Sequence, residues 1–154
     1  MEKKYSGSEM AKVRHRSREL ALHTLYACEA DAGGQWEPMF ESIAENDQLG
    51  QNVKVYARDL VRAALENIEH IDSLLAMKAA NWELRRMAAI DRNVLRLAVA
   101  ELIYFKDTVP FKVVMDEAVE IAKTYGAEGS GKFVNGVLDS VRKKLYPNQN
   151  NPEE

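Results

Sequence analysis

Cysteine occurs once in the 154 residues and histidine three times. A single cysteine excludes a disulfide framework, and so few thiols and imidazoles leave no Cys/His set for a structural zinc. No apolar run approaches the ~18 residues that a membrane span needs. The opening Met1-Glu-Lys-Lys-Tyr-Ser-Gly7 lacks the apolar stretch of a secretory signal, so the reducing cytoplasm is the expected compartment. Apolar–polar alternation never persists beyond about four residues, so strands have no signal.

What is present suits one domain or two very small ones: 46% of the residues are hydrophobic, enough for a core without staples. The net charge of −3 is unevenly spread. Residues 1–18 hold six cations (Lys3, Lys4, Lys12, Arg14, Arg16, Arg18) against Glu2 and Glu9, which leaves +4 in the arm and −7 in the body. A basic arm on an acidic body points to a polyanion near the arm and admits a cationic partner for the body.

Apolar spacing organises the rest into helices. Residues 1–11 are polar and predict a disordered arm, 12–146 a helical domain, and 147–154 a solvated tail. From Val13, a stripe of Ser17, Leu20, Ala21, Thr24, Leu25 and Cys28 predicts a first helix closed by Gly33-Gly34. A short helix over 38–45 would bury Phe40 and Ile43. Three-four spacing from Val53 through Tyr56, Ala57, Leu60, Val61, Ala64, Ile68 and Ile71 to Leu75 predicts one long helix, with Arg58, Arg62, Glu66 and Glu69 in water. Asn81 is placed to cap a short helix over 82–88, and Asp91 to cap another beginning Arg92-Asn93. Between Val94 and Phe105 only Arg96 and Glu101 are charged, which predicts a buried central helix. Pro110 opens the next helix, whose inward face is Val114, Met115, Ala118, Ile121, Ala122 and Tyr125, and Gly126 ends it. A last helix over 132–144 turns Val134, Val137, Leu138, Val141 and Leu145 inward. The fold class is all-α, with about seven helices.

Several constellations have an ordinary explanation. Gly126-Ala-Glu-Gly-Ser-Gly131-Lys132 fits part of a phosphate-binding P-loop, but Phe133 follows where a magnesium-binding hydroxyl is needed, and a helix precedes where a strand is needed. Asp116, Glu117 and Glu120, with Lys112 and Lys123 nearby, read as a solvated charged face. Cys28 reads as a small core residue. No catalytic residues, metal ligands or cofactor are expected. The informative segment is Lys12-Val-Arg14-His15-Arg16-Ser-Arg18. On a helix Lys12 and Arg16 share one face and Arg14 and Arg18 another, so the run can meet phosphates on two sides.

Three stretches carry a resemblance. Arg14-His-Arg-Ser-Arg-Glu-Leu-Ala-Leu-His-Thr-Leu-Tyr26 resembles the opening helix of the NusB family of bacterial transcription antitermination factors. Ile90-Asp-Arg-Asn-Val-Leu-Arg-Leu-Ala98 resembles its central helix. Val109-Pro-Phe-Lys-Val-Val-Met-Asp-Glu-Ala-Val-Glu-Ile-Ala-Lys-Thr-Tyr-Gly-Ala-Glu128, followed by Lys132-Phe-Val-Asn-Gly-Val-Leu-Asp139, is similar to its C-terminal signature. Together they cover residues 13–146 in order.

The resemblance implies an all-helical fold of two small packed bundles and a non-catalytic protein. Such a protein binds boxA-type single-stranded RNA together with the ribosomal protein NusE. With other Nus factors it helps elongating RNA polymerase pass terminators in ribosomal RNA operons. It further implies that Lys12, Arg14, His15, Arg16 and Arg18 grip the RNA backbone, that Phe133 stacks on a base beside Lys132, and that Tyr26 and Asp91 meet NusE. Gly129 stands where some relatives carry an acid, so a carboxylate role there is lost. The resemblance admits a homodimer as well as a monomer. Larger RNA cytosine methyltransferases carry a similar domain, but this chain has no length for their cofactor fold. The competing reading is a helical protein–protein adaptor whose arm only aids solubility.

Overall fold

The computed structural model describes residues 6–31, 34–78 and 84–147. Among these residues every regular element is helical. There are seven α-helices: α1 (Gly7–Ala30), α2 (Trp36–Asn46), α3 (Gln51–Glu66), α4 (Ile68–Lys78), α5 (Ala89–Tyr104), α6 (Phe111–Tyr125) and α7 (Ser130–Leu145), with one 3-10 turn at Leu84–Arg86. The chain divides into two compact units, Met1–Arg62 and Ala63–Glu154, the division falling within α3. Two small helical units agree with the all-α expectation.

In the first unit α1 starts earlier than its apolar stripe. The Ser6 side chain accepts from the Glu9 amide, and the Glu9 carboxylate accepts from the Ser6 amide, a reciprocal capping box. Residues 7–11, expected in a disordered arm, are therefore helical; residues 1–5 lie outside the described residues, as does Gly33. The stripe itself is buried at Ser17, Leu20, Ala21, Thr24 and Leu25, and Leu22 joins it. The Ser17 hydroxyl lies 2.9 Å from the carbonyls of both Val13 and Val53, so its proton serves its own helix or α3. α2 buries Phe40 completely, worth roughly 1.5–3 kcal/mol; Ala44 is its second buried residue, and Ile43 is only half-buried. Trp36 meets Phe40 edge-on at 5.7 Å, and the Arg58 guanidinium sits over the Phe40 ring at 5.1 Å while bonding Glu41. Arg58 is thus half-buried where the sequence put it in water.

The long helix expected from Val53 to Leu75 is two helices, α3 and α4. Asn67 interrupts it, its side-chain amide donating to the Ala63 carbonyl at 2.8 Å, and the Ile71 amide still reaches the Asn67 carbonyl at 3.0 Å. The apolar spacing survives this break, which is why periodicity alone does not register it. α5 packs against α4, α6 and α7 and is buried from Arg92 to Leu102 except at Arg96, as its sparse charge requires. Arg96 forks onto Asp72 of α4 at 2.8 and 2.9 Å. At the far end of α7 the Tyr146 hydroxyl donates to the Leu102 carbonyl, and its ring stacks on Phe111 at 5.6 Å. Asn81 lies outside the described residues, and so does the expected tail beyond Pro147.

Candidate nucleic-acid and protein interfaces

The two units carry separate groups of candidate residues. In the first, the basic run occupies the N-terminal half of α1. Lys12 and Arg16 are exposed, and Arg14 and His15 are half-buried. Arg18 is only 5% exposed. The reason is the ring of Tyr56 on α3, over which Arg14 sits at 5.0 Å and Arg18 at 5.9 Å. The expected two-sided grip is therefore corrected. The Lys12–Arg16 face is open, while the Arg14–Arg18 face leans on α3. Glu19 lies 3.7 Å from His15 and 3.6 Å from Arg16, tempering the charge of the open face.

Farther along α1, Tyr26 is 47% exposed, an aromatic surface of the kind that protein contacts use. Cys28 is half-buried, and its thiol is pushed up by burial and then by Asp31 and Glu37, so it is a poor nucleophile.

In the second unit Asp91 and Phe133 line one concavity of about 360 Å³, together with Met87, Ala88, Ala127, Glu128, Gly129 and Ser130. Asp91 is not the cap that the sequence suggests. α5 begins at Ala89 with Ala88 in the capping position, and no side chain caps it. Asp91 is the third helical residue, where a carboxylate still favours the positive end of the helix dipole. Its Oδ1 is buried and accepts no hydrogen bond among the described residues. An unmet acceptor in an apolar surround costs about 1–3 kcal/mol, so a donor brought by a ligand would be well received. The neighbouring Arg92 anchors this start from inside, donating through Nη1 to the carbonyls of Met87 at 2.8 Å and Leu84 at 3.2 Å.

Lys132 and Phe133 are consecutive on α7 and so point roughly 100° apart. Phe133 is half-buried and faces the Asp91 concavity; Lys132 is exposed and faces a different groove of about 600 Å³. That groove is lined by Asp116, Val119, Glu120 and Lys123 of α6 and by Gly131, Lys132 and Asn135 of α7. The structure thus joins Phe133 to Asp91, which the sequence assigned to different partners, and separates it from Lys132. Sequence reasoning missed Met87, Ala88 and Glu128 as concavity walls, because two are small or flexible apolar residues and the third sits in a loop.

The loop that mimics a P-loop joins α6 to α7, helix to helix. Gly129 has φ of 88°, the left-handed region, so a residue with a side chain would be strained on this backbone. A β-carbon at Gly126 would lie 2.5 Å from Ser130 Oγ, so close approach is what demands that glycine. Among the described residues no three acids, histidines or cysteines are grouped to hold a metal, and no helix is long and apolar enough to cross a membrane.

The sequence model of the NusB family matches residues 15–143. A transcription antitermination protein NusB from Geobacter sp. (strain M21) is 43% identical over 136 residues, covering 84% of this chain and 93% of the relative. Its counterpart in Anaeromyxobacter dehalogenans (strain 2CP-1) is 42% identical over 138 residues, covering 90% and 96%. Among solved structures, T. maritima NusB superposes with a TM-score of 0.79 at 40% identity, covering 85% of this chain and 91% of that one. A structure of the antitermination factors NusB and NusE in complex with dsRNA matches with a TM-score of 0.79 at 33% identity, covering 86% and 98%.

Proposed function

The chain belongs to the NusB family, and from that membership we propose that it is an RNA-binding transcription antitermination factor acting with a NusE-type ribosomal protein. The observation that carries the proposal is the solved relative in complex with NusE and dsRNA, which this chain matches over 86% of its length. The RNA is boxA-type single-stranded sequence in nascent ribosomal RNA transcripts, and the wider assembly is elongating polymerase with the other Nus factors. The protein works in the cytoplasm by binding, without catalysis.

The exposed Lys12–Arg16 face of α1, with half-buried Arg14 and His15 beside it, supplies phosphate contacts in the first unit. In the second unit Lys132 supplies another, and Phe133 offers its ring for stacking on a base. Tyr26 and Asp91 receive the ribosomal protein. Ribosomal proteins are mostly cationic, and a body of net −7 speeds and orients their approach.

Size-exclusion chromatography tests this, with the chain run alone, with NusE, and with NusE plus boxA-type RNA; a duplex of the same sequence serves as comparison. Co-elution of all three components is expected. The adaptor reading predicts co-elution with NusE only, and that result would replace the RNA-binding proposal. The elution volume of the chain alone separates monomer from homodimer.

A further inference from the structure

Lys123 stands on the last turn of α6 and lines the same groove as Lys132. At the facing position α7 has Gly131, and the lysine stem takes the space a side chain would fill. A β-carbon at Gly131 would lie 2.9 Å from Lys123 Cγ and 3.1 Å from its Cε. The stem therefore lies against Gly131 in the first turn of α7, and Lys123 lines one groove with the residue that follows, Lys132. Lys123 is nonetheless 62% exposed. Its ion partner Glu120 is 3.9 Å away and 64% exposed, a screened pair worth little against a phosphate. The acids of the groove, Glu120 and Asp116, lie about one and two turns back along α6. Of the charged residues lining the groove, Lys123 and Lys132 stand nearest the α6–α7 loop along the chain.

We propose that Lys123 is a second RNA-backbone contact beside Lys132, seated by the absence of a side chain at Gly131. The inference rests on the RNA-binding reading above. A strand passing the loop end of the groove would meet two ammonium groups from two helices, and the acids farther along would turn it away from the rest of the groove. Neither periodicity nor the family resemblance singles out Lys123, because in sequence it is one more lysine on a charged face.

The test is fluorescence anisotropy with a short single-stranded boxA-type oligonucleotide across a salt series. It uses the unsubstituted chain and the variants Lys123→Ala, Lys123→Arg, Lys132→Ala and Gly131→Ala, with melting curves to establish that each is folded. Lys123→Ala should flatten the dependence of log affinity on log salt by about 0.7, as one lost phosphate contact does on a single strand, and Lys132→Ala by a similar amount. Lys123→Arg should keep the slope. Gly131→Ala should flatten it by displacing the lysine stem, and should add nothing when Lys123 is already alanine. An unchanged slope in folded Lys123→Ala, with the Lys132→Ala slope reduced, overturns this assignment and leaves the RNA reading standing. Equal flattening by Gly131→Ala in both backgrounds overturns the seating role. No binding by the unsubstituted chain, alone or with NusE added, overturns the RNA reading and this inference with it.

Discussion

Replacing Asp91 with asparagine keeps the shape of the side chain and removes its charge. Two stability terms oppose each other. At the third position of α5 the carboxylate gains about 0.3–1 kcal/mol from the helix dipole, which asparagine forfeits. Against this, Oδ1 is buried without a donor, and a neutral amide is less costly to leave unmet than a charged carboxylate. The two nearly cancel, so the melting temperature should move by only a few degrees, about 1 kcal/mol or less. Binding is different. If Asp91 pairs with a cationic group of NusE in the concavity, that pair is desolvated, and losing the charge should weaken the complex by about 1–3 kcal/mol, or roughly five- to 150-fold. Isothermal calorimetry of the variant with NusE, beside its melting curve, reads both quantities. Undiminished NusE binding by the folded variant would show that Asp91 lies off the partner face.

Phe133→Ala tests the other wall of the same concavity. A half-buried ring should give up about half of the 3–5 kcal/mol that a fully buried phenylalanine loses, and RNA affinity should fall by about 1–3 kcal/mol if the ring stacks on a base; a thermal loss with intact RNA affinity refutes the stacking role. Replacing Lys12, Arg14 and Arg16 with alanine should weaken RNA binding and flatten its salt dependence, by about 0.7 per contact. Arg18→Ala, its side chain packed toward the Tyr56 ring, should lower the melting temperature and leave the slope alone; a flattened slope there would mean that Arg18 reaches RNA after all. Asp139 is held below the usual carboxylate range by its hydrogen bond from Arg142 and then by Lys143. Its stabilisation is therefore present above the ordinary carboxylate range and is lost as pH falls through the depressed value. Asp139→Asn should melt earlier than the unsubstituted chain at neutral pH, and the gap should close on acidification; a gap constant with pH refutes the ion-pair account.

The helices were legible because burial on one face imposes a period, and α5 was legible because it lacks charge. The discrepancies are equally specific. Ser6 and Glu9 spell a capping box, but the turn they open has no apolar stripe, so a reading guided by hydrophobicity starts α1 too late. The interruption at Asn67 is invisible to periodicity because the helix resumes in phase. Arg18 belongs to a cation run that reads as solvated until Tyr56, from a distant helix, is placed against it. At the candidate interfaces, the family resemblance supplied Tyr26, Asp91, Lys132 and Phe133 as individual residues. That Lys132 and Phe133 diverge follows from helix geometry and could have been read from their adjacency. That Phe133 shares a concavity with Asp91 depends on how α5 and α7 pack, which no local pattern encodes.

Of the two carbonyls held by Arg92, that of Leu84 opens the 3-10 turn and that of Met87 follows it, next to Ala88. Those acceptors come into register only once the first turn of α5 exists, so the wall of the concavity is completed by the same event that starts the central helix. Occupancy and folding of this unit are then linked quantities: whatever fills the concavity holds the helix start closed and raises the free energy of opening it. Amide exchange in 84–92 should slow when the partner is bound, and a lysine at position 92, a point donor in place of a fork, should loosen the wall and blunt that response.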